Sequence, residues 1–221
     1  METGLGAYNM RNHEVTVKQK LLRHGQIAEP GWSRSMVQEY RREDIKAPKF
    51  RIKEWDYYLI QNEEFAVALT VNDMGYMGML SASFIKFNKR WEHTETELTM
   101  APMGKFCMPS HTGESRVYQK AEKSEFELVT KDGERHLKCI FNNFDGEKDF
   151  RCDITLKEPK QDSLVIATPF EKKNHFYYNH KINCMPASGW AEYDGLRYEF
   201  NPETDFGLLD WGRGVWTYDN W

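Results

Sequence analysis

Three Asp-Gly pairs, Asp132-Gly133, Asp145-Gly146 and Asp194-Gly195, constrain the fold most tightly, each lying between segments of alternating apolar and polar residues. A two-residue hairpin turn needs positive φ at its central positions, which Asp-Gly tolerates, and the turn fixes which residues face each other across the strands. Centring one hairpin on Asp132-Gly133 pairs Leu128 with Leu137, Phe126 with Cys139 and Glu127 with Lys138. Centring another on Asp145-Gly146 pairs Leu137 with Ile154, Lys138 with Asp153, Cys139 with Cys152 and Phe141 with Phe150. Both registers put Phe126, Leu128, Leu137, Cys139, Phe141, Phe150, Cys152 and Ile154 on one face, and Glu127, Lys138 and Asp153 form a charge-complementary ladder on the other. A three-stranded antiparallel meander over residues 123–157 is therefore predicted. The third turn pairs Glu192 with Arg197 and groups Ala191, Tyr193, Leu196 and Tyr198 on one face.

Elsewhere Phe50–Ile60, Phe65–Val71, Tyr76–Phe87, Ser163–Phe170 and His175–Asn183 carry the β-branched and aromatic residues of strands. Glu92–Glu97 and Pro102–Gly113 read as loops, and Glu171–Asn174 as a turn. Residues 1–47 form a mixed lead-in: Val15 to Leu22 suits a short strand entering a turn at His24-Gly25, and Ser35–Tyr40 is compatible with a helix. Arg41-Arg42-Glu43-Asp44 follows as a solvated run. No long helical period or internal repeat occurs. Short strands between tight turns predict an all-β, antiparallel lipocalin-like barrel or strongly curved sandwich over residues 48–221, joined mostly by hairpins. Its wall is expected to be complete without the last fifteen residues.

The 221 residues carry a net charge of -4 with acids and bases intermixed, so no global field draws in nucleic acid. The longest apolar runs, such as Phe65–Leu69, are far short of the roughly 20 residues a membrane helix needs. Met1–Arg11 lacks the basic start and apolar middle of a secretion signal, which points to the cytoplasm. Cys107, Cys139, Cys152 and Cys184 show neither paired spacing nor a histidine at zinc-ligand distance, so no metal is expected. No phosphate-binding or dinucleotide-binding glycine motif is present, and no cofactor is expected. In a reducing compartment Cys139 and Cys152 should remain thiols that pack the core.

Two stretches carry the candidate chemistry. Gly207–Trp221 gathers Asp210, Arg213, Trp211 and Trp216 among glycines. A carboxyl group among aromatic rings suits a proton donor near neutral pH, with Arg213 positioning it; the alternative is a structural Asp210–Arg213 pair under aromatic packing. Along His175–Asn183, alternation puts His175, Tyr177 and Asn179 on one face and Phe176, Tyr178 and His180 on the other. Such a surface suits a polar-lined pocket, or a half-buried strand whose polar tips reach water.

Lys53-Glu54-Trp55-Asp56-Tyr57-Tyr58, Ala167-Thr168-Pro169-Phe170, Phe176-Tyr177-Tyr178-Asn179-His180-Lys181-Ile182-Asn183 and Leu209-Asp210-Trp211-Gly212-Arg213-Gly214-Val215-Trp216, taken together, resemble the bacterial family called domain of unknown function 2804. The resemblance runs from about Leu21 to the last residue. More distantly, the chain is similar to the lipocalin-like proteins that include hydroxyneurosporene synthase, a carotenoid hydratase. That similarity implies two β-barrel-like domains, of which this chain is the amino-terminal one, and protonation of apolar substrates in a cavity. Asp210-Trp211-Gly212 is the loose counterpart of that group's Trp-x-Asp-x-Glu-Trp-Gly motif, without its first Trp and its Glu.

The expected function is binding of a hydrophobic or amphipathic small molecule by His175, Tyr177, Tyr178, Asn179, Trp211 and Trp216. One alternative is a hydratase, isomerase or cyclase in which Asp210 protonates an alkene. Another is a β domain that docks a missing second β domain through its Trp-rich end.

Overall fold

In the computed structural model, which describes residues 12–217, Asp132 and Gly133 have φ of 53° and 77°, and Asp194 and Gly195 have 57° and 68°. These are the left-handed backbones that a two-residue hairpin of the expected kind requires. Met1–Arg11 and Tyr218–Trp221 lie outside the described residues, so the structure does not bear on the reading of either end.

The pairings predicted from the turns are those observed. Phe126 faces Cys139, Leu128 faces Leu137, Cys139 faces Cys152, Phe141 faces Phe150, and Glu192 faces Arg197. The whole predicted apolar face of the meander is buried. The second connection keeps its register but is not a two-residue turn: residues 142–149 form a loop between Phe141 and Phe150. Phe144 folds into the core there, and the Asp145 carboxylate accepts the Lys148 backbone N–H at 2.8 Å. Burying a phenylalanine outweighs the preference of Asp-Gly for the tight turn.

One sheet of thirteen strands contains most of the chain. In chain order these are β1 (Gly31–Ser33), β2 (Ile52–Gln61), β3 (Phe65–Asp73), β4 (Met77–Lys86), β5 (Trp91–Met100), β6 (Ser115–Lys120), β7 (Ser124–Lys131), β8 (Glu134–Phe141), β9 (Phe150–Lys157), β10 (Leu164–Pro169), β11 (Phe176–Tyr193), β12 (Leu196–Phe200) and β13 (Phe206–Val215). The spatial order is β6-β7-β8-β9-β11-β13-β2-β3-β4-β5, with β10 and β12 also pairing with β11 and β1 pairing with β10. The sheet is antiparallel and curls into a half-barrel, an all-β lipocalin-like fold.

Two meanders, β2 to β5 and β6 to β9, are thus joined by β11 and β13. β13 is a central strand, so the wall does depend on the glycine- and tryptophan-rich segment. β11 reaches both halves because a bulge at Asn183 and Cys184, with Cys184 at φ 55°, shifts its register and bends it. The bulge keeps both Ile182 and Met185 facing the core.

Two local expectations are corrected. Glu92–Glu97 is part of strand β5 rather than a loop: as an edge strand it is polar on both sides, which hides its period. Ser35–Tyr40 is not a helix; Gln38–Glu39 pairs in parallel with Gln19–Lys20, and Tyr40 packs into the core. At the open edge, the Glu97 carboxylate accepts the Lys123 backbone N–H at 3.0 Å, and His93 Nε2 lies 2.7 Å from the Phe144 carbonyl oxygen. These contacts link β5 to the far meander by side chains rather than by a ladder.

All four cysteines are free; Cys139 and Cys152 are buried, whereas Cys107 and Cys184 are exposed. Burial pushes the Cys139 thiol up, which withholds the reactive thiolate. In the native protein a water-soluble thiol reagent is expected to label Cys107 and Cys184 and to spare Cys139 and Cys152 until denaturant is added. Peptide mapping by mass spectrometry checks this, and early labelling of Cys152 would contradict the register.

Candidate functional site

Because side chains alternate along a strand, the residues singled out in β11 and β13 separate onto two faces of the sheet. The outer face carries Trp55, Tyr177 and Trp216. The Trp55 and Tyr177 rings stack with centroids 6.1 Å apart, and Trp216 lies 4.9 Å from Trp55 and 5.3 Å from Tyr177. Gly212 faces Trp55 across the ladder, and a methyl group on Gly212 would overlap the Trp55 ring. Its missing side chain is what lets the indole lie flat on the sheet. With Lys53, Met74, Tyr76, Phe170 and Thr217, these rings line a groove of about 790 Å³. The Lys53 ammonium lies 4.7 Å from the Tyr76 ring centroid.

Further along the same face, Asp210 takes an ion pair from Lys181 at 2.6 Å and a hydrogen bond from the Asn179 amide. Burial, and then the Asp210 charge, raise the pKa of both Tyr57 and Tyr177. These phenols stay protonated at neutral pH and serve as hydrogen-bonding groups.

The inner face holds Tyr178, Trp211 and Arg213. Arg213 is fully buried with its guanidinium 4.1 Å over the Trp211 ring. It donates to Asp56 Oδ1 at 2.9 Å, to the Trp55 carbonyl at 2.6 Å and to the Pro109 carbonyl at 2.8 Å. Glu54, 3.9 Å away, accepts the Tyr40 hydroxyl at 2.8 Å and pairs with Arg42. Burial raises the Glu54 pKa, and the Arg213 and Arg42 cations oppose the rise. Tyr178 donates to the Gln38 carbonyl at 2.7 Å and packs edge-on against Trp211. The lead-in and the loop before β6 are thereby tied onto the concave face, filling it with side chains at this end.

Asp210 and Arg213 therefore do not meet: three residues apart on a strand they point to opposite faces, and each has its own partner. Tyr177 and Trp216 come together in the groove. Asn179 is engaged with Asp210, and Tyr178 and Trp211 belong to the interior. His175 precedes β11 in a turn, where Nδ1 lies 2.9 Å from the Lys173 carbonyl oxygen, away from the groove. Trp55, Tyr76 and Phe170 were not anticipated as lining residues. The signal for Trp55 was the glycine opposite it, which is visible only once β13 is known to pair with β2. Among the described residues, no group of three His, Cys, Asp or Glu side chains could hold a metal ion, and no helix is long and apolar enough to cross a membrane.

A curled antiparallel half-barrel with an apolar core, a buried charge cluster at one end and an aromatic groove on its outer face belongs to the lipocalin-like all-β class. Within that class, the chain belongs to the family of domain of unknown function 2804, whose model matches residues 12–221. No curated protein matches the chain. A crystal structure from Nitrosomonas europaea, of a protein provisionally named AttH, has a TM-score of 0.52 at 13% identity, covering 82% of this chain and 57% of that one. Kievitone hydratase from Nectria haematococca gives a TM-score of 0.45 at 11% identity, covering 75% and 48%. CghA gives 0.41 at 9% identity, covering 92% and 54%. The chain thus spans about half the length of the solved structures it matches.

Two stability effects are expected. Replacing Arg213 by Met leaves Asp56 buried without its cation and Glu54 with Arg42 alone, and should cost roughly 3–5 kcal/mol in urea unfolding, whereas Asp210→Asn, in a half-exposed pair, should cost no more than about 1 kcal/mol. His180 lies 2.9 Å from Thr112 Oγ1 and 2.7 Å from Ser163 Oγ, and burial, then the Arg135 charge, lowers its pKa to about 4. Its unfolded form binds a proton below about 6.5, so the stability this group contributes is present above that pH and is lost as pH falls toward 4. The loss should approach about 3 kcal/mol, and His180→Gln should flatten that part of a urea-midpoint profile against pH.

Proposed function

We propose that this chain is the ligand-binding half of a two-domain protein and that it takes a hydrophobic or amphipathic small molecule in its outer aromatic groove. The observation that carries this reading is the platform of Trp55, Tyr177 and Trp216, opened by Gly212 and walled by Tyr76, Phe170 and Met74. The groove's volume of about 790 Å³ lies within the range usual for small-molecule sites. Stacked rings give a flat or polyene ligand a large apolar contact, and Lys53 in the lining suits a polar end group. Residues 48–221 act as the barrel-like unit in this proposal, with residues 1–47 as its lead-in, and the protein works in the cytoplasm.

A role for Asp210 as proton donor to an alkene is less favoured by its surroundings. The carboxylate is held by Lys181 and Asn179, and the aromatic groove lies further along the sheet. A second reading has support of its own: the chain spans about half of its structural neighbours, and an exposed aromatic groove is the kind of surface against which another domain packs.

Titration with polyene, terpenoid and fatty-acid panels, followed by tryptophan fluorescence, tests the binding reading. A saturable response is expected that Trp55→Ala abolishes and Gly212→Val weakens at least about tenfold, because the displaced indole closes the platform. Asp210→Asn should bind as the parent does. Absence of any response, both in this chain and in one carrying a following domain, would overturn the proposal. Self-association of this chain that disappears when a following domain is present would instead favour domain docking.

A further inference from the structure

At the other end of β3 and β4 from the groove, the inner face closes on a cluster of rings around the Lys86 ammonium; one of them, Tyr193, also has the Lys148 ammonium, which is paired with Asp194, 5.6 Å from its centroid. Lys86, the last residue of β4, faces Phe65 on one side and Trp91 on the other. Its Nζ lies 4.5 Å from the Trp91 ring centroid, 5.0 Å from Tyr193, 5.8 Å from Phe84 and 6.0 Å from Tyr198. The rings brace one another: Trp91 is 5.1 Å from Tyr193, and Phe84 is 4.9 Å from Tyr198. Tyr193 is oriented by a hydrogen bond to Asp145, and His93 stacks behind Trp91. Among the described residues no carboxylate pairs with Lys86. Phe84 and Tyr193 are buried, while Trp91, Tyr198 and Lys86 are half-buried, so the cluster opens toward water on one side.

A cation within about 6 Å of several ring centroids is attracted by their quadrupoles, and more strongly as it loses water. A primary ammonium gains least, because it is a compact, strongly hydrated charge on a flexible stem. A quaternary or methylated ammonium is weakly hydrated and presents its charge through methyl groups that fit against ring faces. Lys86 can return its ammonium to solvent at small cost, as long cationic side chains do at the edge of apolar surfaces.

We propose that Phe84, Trp91, Tyr193 and Tyr198 form a binding cage for quaternary or methylated ammonium groups, which Lys86 occupies when no such ligand is bound. Lys86 is then a competitor built into the site, and it sets the affinity. This cage is separate from the aromatic groove and does not depend on the function proposed for it.

The test is a fluorescence titration of wild type and Lys86→Ala with choline and with its neutral isostere 3,3-dimethylbutan-1-ol. Lys86→Ala is expected to bind choline saturably, at least about tenfold more tightly than wild type and than it binds the neutral alcohol. Trp91→Leu in the Lys86→Ala background should abolish the response, whereas Trp55→Ala in that background should leave it intact. Should Lys86→Ala not give a native-like melting transition, Lys86→Gln, which keeps the stem and drops the charge, must show the same ranking. A folded variant that does not bind choline, or that binds the neutral alcohol equally well, would overturn the proposal.

Discussion

The half-barrel depends on a full positive charge carried inward by its central strand. Arg213 sits with no access to water; its hydrogen bonds reach Asp56 in β2 and the Pro109 carbonyl in the loop before β6, and its ion pair with Glu54, 3.9 Å away, connects it to Tyr40 and Arg42 of the lead-in. A buried charge is tolerated only when its partners are in place, so the cluster makes the packing of lead-in and loop conditional on one another. Hydrophobic burial supplies the bulk of the stability, as it does elsewhere, but it does not choose which loop covers which strand. The directional bonds of Arg213 do.

The same strand has the opposite character on its outer side. Where Leu209, Trp211, Arg213 and Val215 point inward, Gly212 and Gly214 point outward; Gly212 leaves room for the Trp55 ring of the neighbouring strand, and Gly214 for the Phe176 backbone and the Trp216 ring. Trp55 lies over Gly212, with Tyr177 and Trp216 beside it. Removing side chains from one face of a central strand thus creates the groove without weakening the core on the other face. The interior of this half-barrel is filled at the Arg213 end, and an open apolar groove lies on the outside of the sheet.

The candidate site was partly legible in the sequence. Tyr177 and Trp216 were singled out and do lie together. Asp210 and Arg213, three residues apart in the sequence and chemically complementary, were natural partners on paper; odd separation on a strand puts them on opposite faces, where Lys181 and Asp56 take their places. Strand β5 was missed because an edge strand washed by solvent needs no apolar alternation. The wall was expected to be complete without β13 because glycines and charges are rare in central strands. Glu54 and Asp56, at alternate positions of β2, were a hint of a polar inner face that could be interpreted only with a cation opposite them.

By itself the sequence determined the local pairings. Alternation and Asp-Gly fix the register between adjacent strands, because a slip by one residue would turn every apolar side chain to water. That information is contained within some thirty residues and survives even when the connection is not a tight turn, as at Asp145. Only the tertiary structure decided that the last strand lies between β11 and β2, that Arg213 turns inward, and that the lead-in and loop cover the concave face. These depend on partners more than a hundred residues away, whose matching of charge, ring and missing side chain leaves no periodic trace in the chain.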